Sequence, residues 1–462
     1  MKVALVVPKT KYVVHEVCVP LNLLYLATYL RQEIPEVEIK IIDGAMGCDV
    51  EGELFAFQPD IVGISATTPQ ASAAYALGDM LCRRRPDILS VIGGVHASAL
   101  PDDAEKHFDV VVVGEGEQAF AEIVRVFMER KTYPHGIVQG KAVSDLNTLP
   151  FPAYDLVDMN VYFGSKTPTF QHLYLAEPLM QIMTSRGCVN HCPYCYNSVF
   201  KPKLRFFSAK RVVDELVFLH EKYGVNNFFI HDDEFLVNRK RILEIFELSK
   251  ARGITDWLQF VCQARAQSLD SVDYLQTVKA LGCKAVLVGF ETHNKKNLDY
   301  MKHGSTTLYD HDLAVENAAK VGIPLTGSFI FGSPIESVEM MQETLEWMLK
   351  IKANTSFGFL VPFPCTEIYL THVVPRGIKF DFDNVNITNR LLPSTILLNE
   401  NVDREELKQF LDKASSLLRL KKRFNDHGLL RGLTFHVFWI SLLRYPTETK
   451  LTFRSFLAQR RT

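Results

Sequence analysis

Thr184-Ser-Arg-Gly-Cys188-Val-Asn-His-Cys192-Pro-Tyr-Cys195-Tyr-Asn197 holds three cysteines with three and then two residues between them. It follows an apolar run (Leu179, Met180, Ile182, Met183), so it reads as a tight loop leaving a buried strand. Three thiolates this close can hold three irons of a four-iron cluster, leaving one iron without a protein ligand. An open iron is a place for a reactive ligand, so the loop points to chemistry rather than to a staple. The competing reading is structural zinc, which wants four ligands. His191, crowded between Cys188 and Cys192, is a poor fourth.

Outward from that loop the composition is ordinary. The 462 residues suffice for two or three domains with their own cores. A hydrophobic share of 47% and a charged share of 23% fit a soluble globular chain. The formal net charge of -2 gives no reason to expect nucleic acid. Cys18, Cys48, Cys82, Cys262, Cys283 and Cys365 are scattered singly, which predicts reduced thiols in a cytoplasmic protein. The N-terminal apolar run is too short for a signal peptide. No stretch approaches the roughly 18 apolar residues of a bilayer span. The longest, residues 433–443, is interrupted by His436.

The first third alternates strand-like and helical runs. Strands are predicted at residues 3–7, 37–42, 61–65, 88–92 and 110–113, with helices between them, which implies a doubly wound parallel sheet. Ligands of such sheets sit beyond the carboxyl ends of the strands. There the chain reads Ser65-Ala-Thr67-Thr68, Gly93-Gly94-Val95-His96 and Gly114-Glu115-Gly-Glu117. Small and hydroxylated residues let a large planar ligand approach the backbone and bond its rim. A glycine after a strand is most often only a turn; three such ends in order carry the argument.

From residue 179 the alternation resumes, with strands predicted at 179–184, 227–230, 258–262, 285–289, 325–331 and 356–361. Six strand–helix units make an incomplete version of the eight-fold barrel, whose chemistry lies at the strand C-termini. The cysteine loop follows the first of these strands. The next ends carry His231-Asp232-Asp233-Glu234, Gln263-Ala-Arg265, Gly289-Phe-Glu291 and Gly327-Ser-Phe329-Ile-Phe-Gly332-Ser-Pro-Ile-Glu336. Any one carboxylate is commonly a helix cap. Polar groups at all four ends favour one shared ligand.

These residues resemble the radical SAM superfamily, whose cluster motif is Cys-x3-Cys-x2-Cys with an aromatic, here Tyr194, before the last cysteine. The front third is similar to the cobalamin-binding domain that precedes many such enzymes. Together they identify the chain as a member of the radical SAM enzymes that carry a cobalamin-binding domain. The resemblance implies a [4Fe-4S] cluster on Cys188, Cys192 and Cys195, and S-adenosylmethionine (SAM) on the open iron. It implies SAM contacts from Tyr194, Asp232, Asp233, Glu234, Gln263, Arg265, Glu291, Gly327 and Phe329: Glu291 at the ribose, Arg265 near the carboxylate, residues 327–332 under the adenine. Cobalamin would meet Ser65, Thr67, Thr68, Gly93, Gly94, Val95, His96, Gly114, Glu115 and Glu117. Two departures stand out. The stretch Asp43-Gly-Ala-Met-Gly-Cys48 lacks the cobalt-binding histidine of the domain's Asp-x-His-x-x-Gly motif, and Asp232-Asp233-Glu234 replaces the usual Gly-Gly-Glu.

The expected organisation is α/β: a Rossmann-like domain of cobalamin-binding type at 1–140, a linker at 141–175, a partial (β/α)6 barrel at 176–365 and a helical capping domain at 366–462. An amphipathic helix is predicted over 405–423, with Leu407, Phe410, Leu411, Leu417 and Leu418 on one side. Beyond it, Lys421, Lys422, Arg423, Arg431, Arg444, Lys450, Arg454, Arg460 and Arg461 interleave with Phe435, Phe438, Trp439 and Phe453. This stretch is a solvated face or a peripheral membrane contact. Cys365 stands where related enzymes often have glycine, at the barrel mouth: it is a neutral swap for that glycine, or a thiol that touches substrate or donates a hydrogen atom. The resemblance implies a cobalamin-dependent methyltransferase acting on an unactivated carbon of a small or lipid-like substrate, reduced by a flavodoxin- or ferredoxin-like donor. A cyclase, oxidase or rearrangement enzyme on the same scaffold, or a corrinoid- or metal-binding regulator without turnover, are the alternatives. Substrate identity and oligomeric state are not legible.

Overall fold

The computed structural model describes residues 1–9, 18–163, 174–197, 203–382, 395–434 and 441–459. Its front unit is a parallel sheet of six strands: β1 (Lys2–Val7), β2 (Glu38–Asp43), β3 (Ile61–Ser65), β4 (Leu89–Gly93), β5 (Val110–Val113) and β6 (Gly136–Gln139). They lie in the order β2-β1-β3-β4-β5-β6. Near-continuous apolar runs such as Val3–Val6 are buried on both faces, as a parallel sheet between helix layers demands. Helices Leu21–Glu33 and Glu117–Arg130 cover one face; Val50–Phe57 and Ala71–Arg84 cover the other. β6, absent from the five-strand expectation, is a short edge strand paired only with β5.

The second sheet is built from β7 (Leu179–Ile182), β10 (Asn227–Ile230), β11 (Gln259–Ala264), β12 (Cys283–Glu291), β13 (Leu325–Phe331) and β14 (Asn354–Phe359). Its order is β14-β13-β12-β11-β10-β7, parallel throughout, so chain order equals spatial order, as in a partial barrel. Between β7 and β10 runs a small antiparallel ribbon, β8 (Ser185–Arg186) against β9 (Arg205–Phe206). The ribbon flanks the cysteine loop.

The C-terminal portion is helical, with Arg404–Thr434 and Pro446–Gln459 packed on the barrel helix Val338–Lys350. Leu407, Phe410, Leu411 and Leu417 are buried there, and Leu418 packs against them. Lys421 is not part of a basic surface. Its ammonium is buried and donates to the carbonyls of Met348 (2.7 Å), Ile351 (2.8 Å) and Ala353 (3.0 Å), tying the long helix to the end of Val338–Lys350. Phe435, Phe438, Trp439, Arg460 and Arg461 lie outside the described residues. Among the described residues no helix is long and apolar enough to cross a membrane.

Candidate active site

The cysteine loop is anchored at its first two residues. Asp232, buried at the end of β10, accepts from the Ser185 amide (3.0 Å) and hydroxyl (2.7 Å) and from the Thr184 amide and hydroxyl (2.5 Å each). Arg241 donates from its other side, to the carbonyls of Thr184 and Phe207 (2.8 Å each). Asp232 therefore supports the loop with every bond described for it, whereas its predicted role was SAM contact. The chain then turns at Gly187 (φ +93°), where a side chain would be strained. Cys188, Cys192 and Cys195 follow, with the Cys195 amide bonded to the Cys192 carbonyl (3.0 Å).

The donor set fits a cluster better than a single ion. The three thiols are close enough for Cys188 and Cys192 each to bear on Cys195, and burial pushes the Cys195 thiol up to about 11. A thiol held that high is neutral near pH 7, so a bound metal must displace its proton. Among the described residues no three His, Cys, Asp or Glu side chains are gathered as a site for one metal ion. His191 is exposed, and among the described residues no fourth ligand of the kind zinc wants is gathered with the three thiols.

The end of β12 brings a second set of polar groups to the loop. A register shift between Gly289 and Glu291 of β12 re-aims the glutamate, which takes φ +62°. A side chain at Gly289 would meet its carboxylate at 2.6 Å, which gives the Gly-x-Glu spacing a physical reason. Glu291 is buried and paired with the equally buried Lys302 (2.7 Å), a residue the sequence reading passed over. Tyr194 completes the group. Its hydroxyl is held well above the ordinary range by burial and then by Glu291, and Lys302 lies 5.9 Å from its ring.

A cavity of 280 Å³ lies beside the same loop, lined by Val189 and Asn190 of the loop, by Glu234, and by Arg265 and Gln267. Glu234 is buried; one oxygen accepts from Ser268 (2.7 Å), and the other has no partner in the protein. Arg265 donates to the Ser305 hydroxyl (2.8 Å). Asp233 accepts from Asn197 (2.7 Å), and Gln263 is half-buried in β11. Phe329 is packed in the core against Phe290. Gly327 is needed there because a side chain would strike both rings. Glu336 is likewise structural: buried, it accepts from the Gly332 amide (2.7 Å) and from Asn297 (2.9 Å), and burial pushes it up to about 8.

On the front unit, Gly94 has φ +89°, and a side chain there would meet the Ser65 hydroxyl at 2.8 Å. Ser65 accepts from Asn22 (2.8 Å), Thr67 forms a capping box with Gln70, and Val95 is exposed. His96 points inward, fully buried, with Tyr75 at 2.9 Å, Thr68 at 3.4 Å and the Phe382 ring edge-on. Gly114 is exposed (φ +93°), and Glu115 and Glu117 pair with Arg186 and Arg205 of the ribbon. Asp43, where the domain's Asp-x-His motif would begin, accepts from Tyr162 (2.9 Å).

Burial lowers the His96 pKa to about 4, with Asp103 opposing weakly. The unfolded chain takes that proton near pH 6.5, so between the two values it binds more protons than the folded one. The stabilisation is complete above pH 6.5 and is lost as pH falls toward 4, by up to about 3 kcal/mol. Urea midpoints at pH 7 and 4.5 should therefore differ more for the wild type than for His96→Gln. Equal differences would refute this.

The two units meet over the cysteine loop. The Tyr196 hydroxyl, from the residue after Cys195, donates to the Val95 carbonyl, and Cys365 Sγ donates to the Ala99 carbonyl (2.7 Å). Two family models match the chain in this order: the B12 binding domain over residues 11–124 and the Radical SAM superfamily over 182–348. A Pyrococcus horikoshii protein named as an uncharacterized methyltransferase is 30% identical, over 93% of this chain and 96% of its own length. The chain belongs to the cobalamin-binding radical SAM enzymes. Bacteriochlorophyllide d C-12(1)-methyltransferase of Chlorobaculum tepidum is 26% identical, over 79% of this chain and 76% of that one. The fold matches the cobalamin-dependent SAM radical enzyme OxsB with aqua-cobalamin bound. The TM-score is 0.69 at 15% identity, covering all of this chain and 80% of that one. As a cobalamin-binding radical SAM enzyme, the protein uses a [4Fe-4S] cluster, SAM and cobalamin.

Proposed function

We propose that the protein is a C-methyltransferase that joins SAM cleavage to methyl transfer from cobalamin onto an unactivated carbon of a small or lipid-like substrate. One observation carries this reading: Tyr196, beside the last cluster cysteine, is hydrogen-bonded to Val95 in the turn that would face cobalamin. The contact sets the two cofactor loops side by side. When bound, the cofactors supply a 5'-deoxyadenosyl radical and a transferable methyl group.

The chain's own residues have distinct parts in this proposal. Cys188, Cys192 and Cys195 hold the cluster. Glu234, through its unpartnered oxygen, and Arg265 take the amino-acid end of SAM in the cavity they line. Glu291, held by Lys302, faces the ribose, and the backbone about Tyr194 the adenine. Residues 65–68 and 93–95 form the rim on which cobalamin rests. The loop 43–48 holds no histidine and His96 is sealed beneath Phe382, so neither would offer an imidazole to bound cobalamin. An external flavodoxin- or ferredoxin-like donor supplies electrons. The domain division at 1–140, 141–175, 176–365 and 366–462 is part of the same reading.

Purified anaerobically with cobalamin, the protein should show corrinoid absorption and form both 5'-deoxyadenosine and S-adenosylhomocysteine. Deoxyadenosine without S-adenosylhomocysteine would favour cyclisation or rearrangement instead; neither product would favour a regulator.

Cys365 occupies left-handed backbone (φ +64°), a conformation open to glycine at no cost, and its thiol is turned to the Ala99 carbonyl. Cys365→Gly should keep the fold and change its stability by no more than about 1 kcal/mol, strain relief offsetting the lost bond. Thermal unfolding checks this. Cys365→Ala with unchanged turnover removes a substrate-side role.

A further inference from the structure

The front-unit acids predicted to face cobalamin point elsewhere. Glu117 pairs with Arg186 (2.7 Å). Glu115 lies between two arginines, 3.4 Å from Arg186 and bonded through both oxygens to Arg205. It also accepts from the Val143 amide (2.9 Å), whose carbonyl takes a bond from Arg205. All four side chains are largely buried, 7–21% exposed, and the Tyr25 ring lies under the Arg186 guanidinium at 5.2 Å. Burial would raise the Glu115 carboxyl, but the two arginines and the Val143 amide together outweigh it and hold it below its ordinary value.

The ribbon explains why the arrangement matters. Arg186 and Arg205 are directly opposite each other in the β8–β9 pair. Like charges at opposed positions of a two-stranded ribbon repel, while the Asp232 and Arg241 bonds brace the backbone beside them at Thr184, Ser185 and Phe207. Among the described residues the compensating charge comes from Glu115 and Glu117, across the unit boundary. Buried ion pairs add little net stability against an apolar replacement, yet leaving one partner unpaired is costly, so they serve to fix geometry. Arg186 stands two residues before Cys188.

We propose that Glu115 and Glu117 are positioning residues that clamp the cysteine loop through Arg186 and Arg205, so that docking of the cobalamin-binding unit completes the anchoring that Asp232 and Arg241 give the loop from within the barrel. The clamp itself rests on geometry alone; its consequence for methyl transfer rests on the function proposed above.

The test uses the full chain, with Glu115→Gln/Glu117→Gln, Arg186→Glu, and the swap Glu117→Arg/Arg186→Glu. Hydrogen exchange is followed over residues 183–190 without cofactors. In reconstituted enzyme, iron and corrinoid per chain and the formation of S-adenosylhomocysteine and 5'-deoxyadenosine are measured. The double glutamine variant should exchange at least ~10-fold faster over 183–190, as expected where a charge-assisted bond of about 1.5–3 kcal/mol is lost. It should retain iron and corrinoid, while its ratio of S-adenosylhomocysteine to 5'-deoxyadenosine falls by a similar factor. The swap should recover most of the protection lost in Arg186→Glu. Exchange within about twofold of wild type, or a swap no better than Arg186→Glu, would overturn the clamp. If the double variant does not accumulate, Glu117→Gln alone is judged by the same criteria. A wild type that forms no S-adenosylhomocysteine would count against the proposed function, and the exchange arm would still decide the clamp.

Discussion

Cys192→Ala should strip the chain of bound iron and abolish SAM cleavage, while the folded protein still retains corrinoid. The loop offers three thiols with no described fourth ligand, and a cluster held by three cysteines has none to spare. Cys262 and Cys283 are buried in β11 and β12, and Cys365 is turned toward the Ala99 carbonyl. Cys192 is itself buried, but exchanging it for alanine removes one sulfur and leaves the Asp232 and Arg241 anchors in place. The effect should therefore fall on iron rather than on folding. Iron per chain, cluster absorption and 5'-deoxyadenosine under strong reductant are the readouts, with Cys262→Ala as the control that keeps all three. Undiminished iron in Cys192→Ala would contradict the assignment.

Lys302→Met should cost about 3–5 kcal/mol of folding stability and most of the affinity for SAM. The Lys302 ammonium is the partner of a carboxylate that is itself only 9% exposed. Removing one member of a buried pair leaves the other charge uncompensated, which is the expensive case. Lys302→Met/Glu291→Gln removes both charges and should regain most of the stability, because neither buried ion then remains. It should not regain SAM affinity if Glu291 bonds the ribose. Denaturant unfolding of the two single variants and the double closes the cycle, and equilibrium SAM binding supplies the second readout. A double variant no more stable than Lys302→Met would count against the pairing. One that binds SAM as wild type does would count against the role of Glu291.

The alternating sheets were legible because parallel strands buried on both faces read as short apolar runs; residues 61–65, 110–113, 227–230 and 325–331 fall on the strands observed. β6 was missed because Gly136-Ile-Val-Gln139 is a short edge strand with only alternate residues half-buried. Arg186 was in plain view within the quoted motif, but its meaning depends on Glu117, far away in sequence and supplied by the other unit. Lys302 stands eleven residues beyond Glu291, across a bulge and a turn that no local pattern announces.

Asp232 shows a different limit. Acid at a strand end reads equally as ligand and as brace, and only the hydroxyls of Thr184 and Ser185 around it separate the two. The same holds for Glu336, which serves the loop after β13. Neighbouring Glu234 keeps an oxygen without a protein partner, and the composition of the motif could not have told these carboxylates apart.

An anaerobic crystal structure of the reconstituted protein with SAM and cobalamin tests the central claim most directly. The account predicts SAM beside Cys188, Cys192 and Cys195, with its amino-acid end at Glu234 and Arg265, and a corrin ring on the turn at 93–96 facing the cysteine loop. SAM in place with no corrin between the two units, or a corrin bound away from that turn, would contradict it.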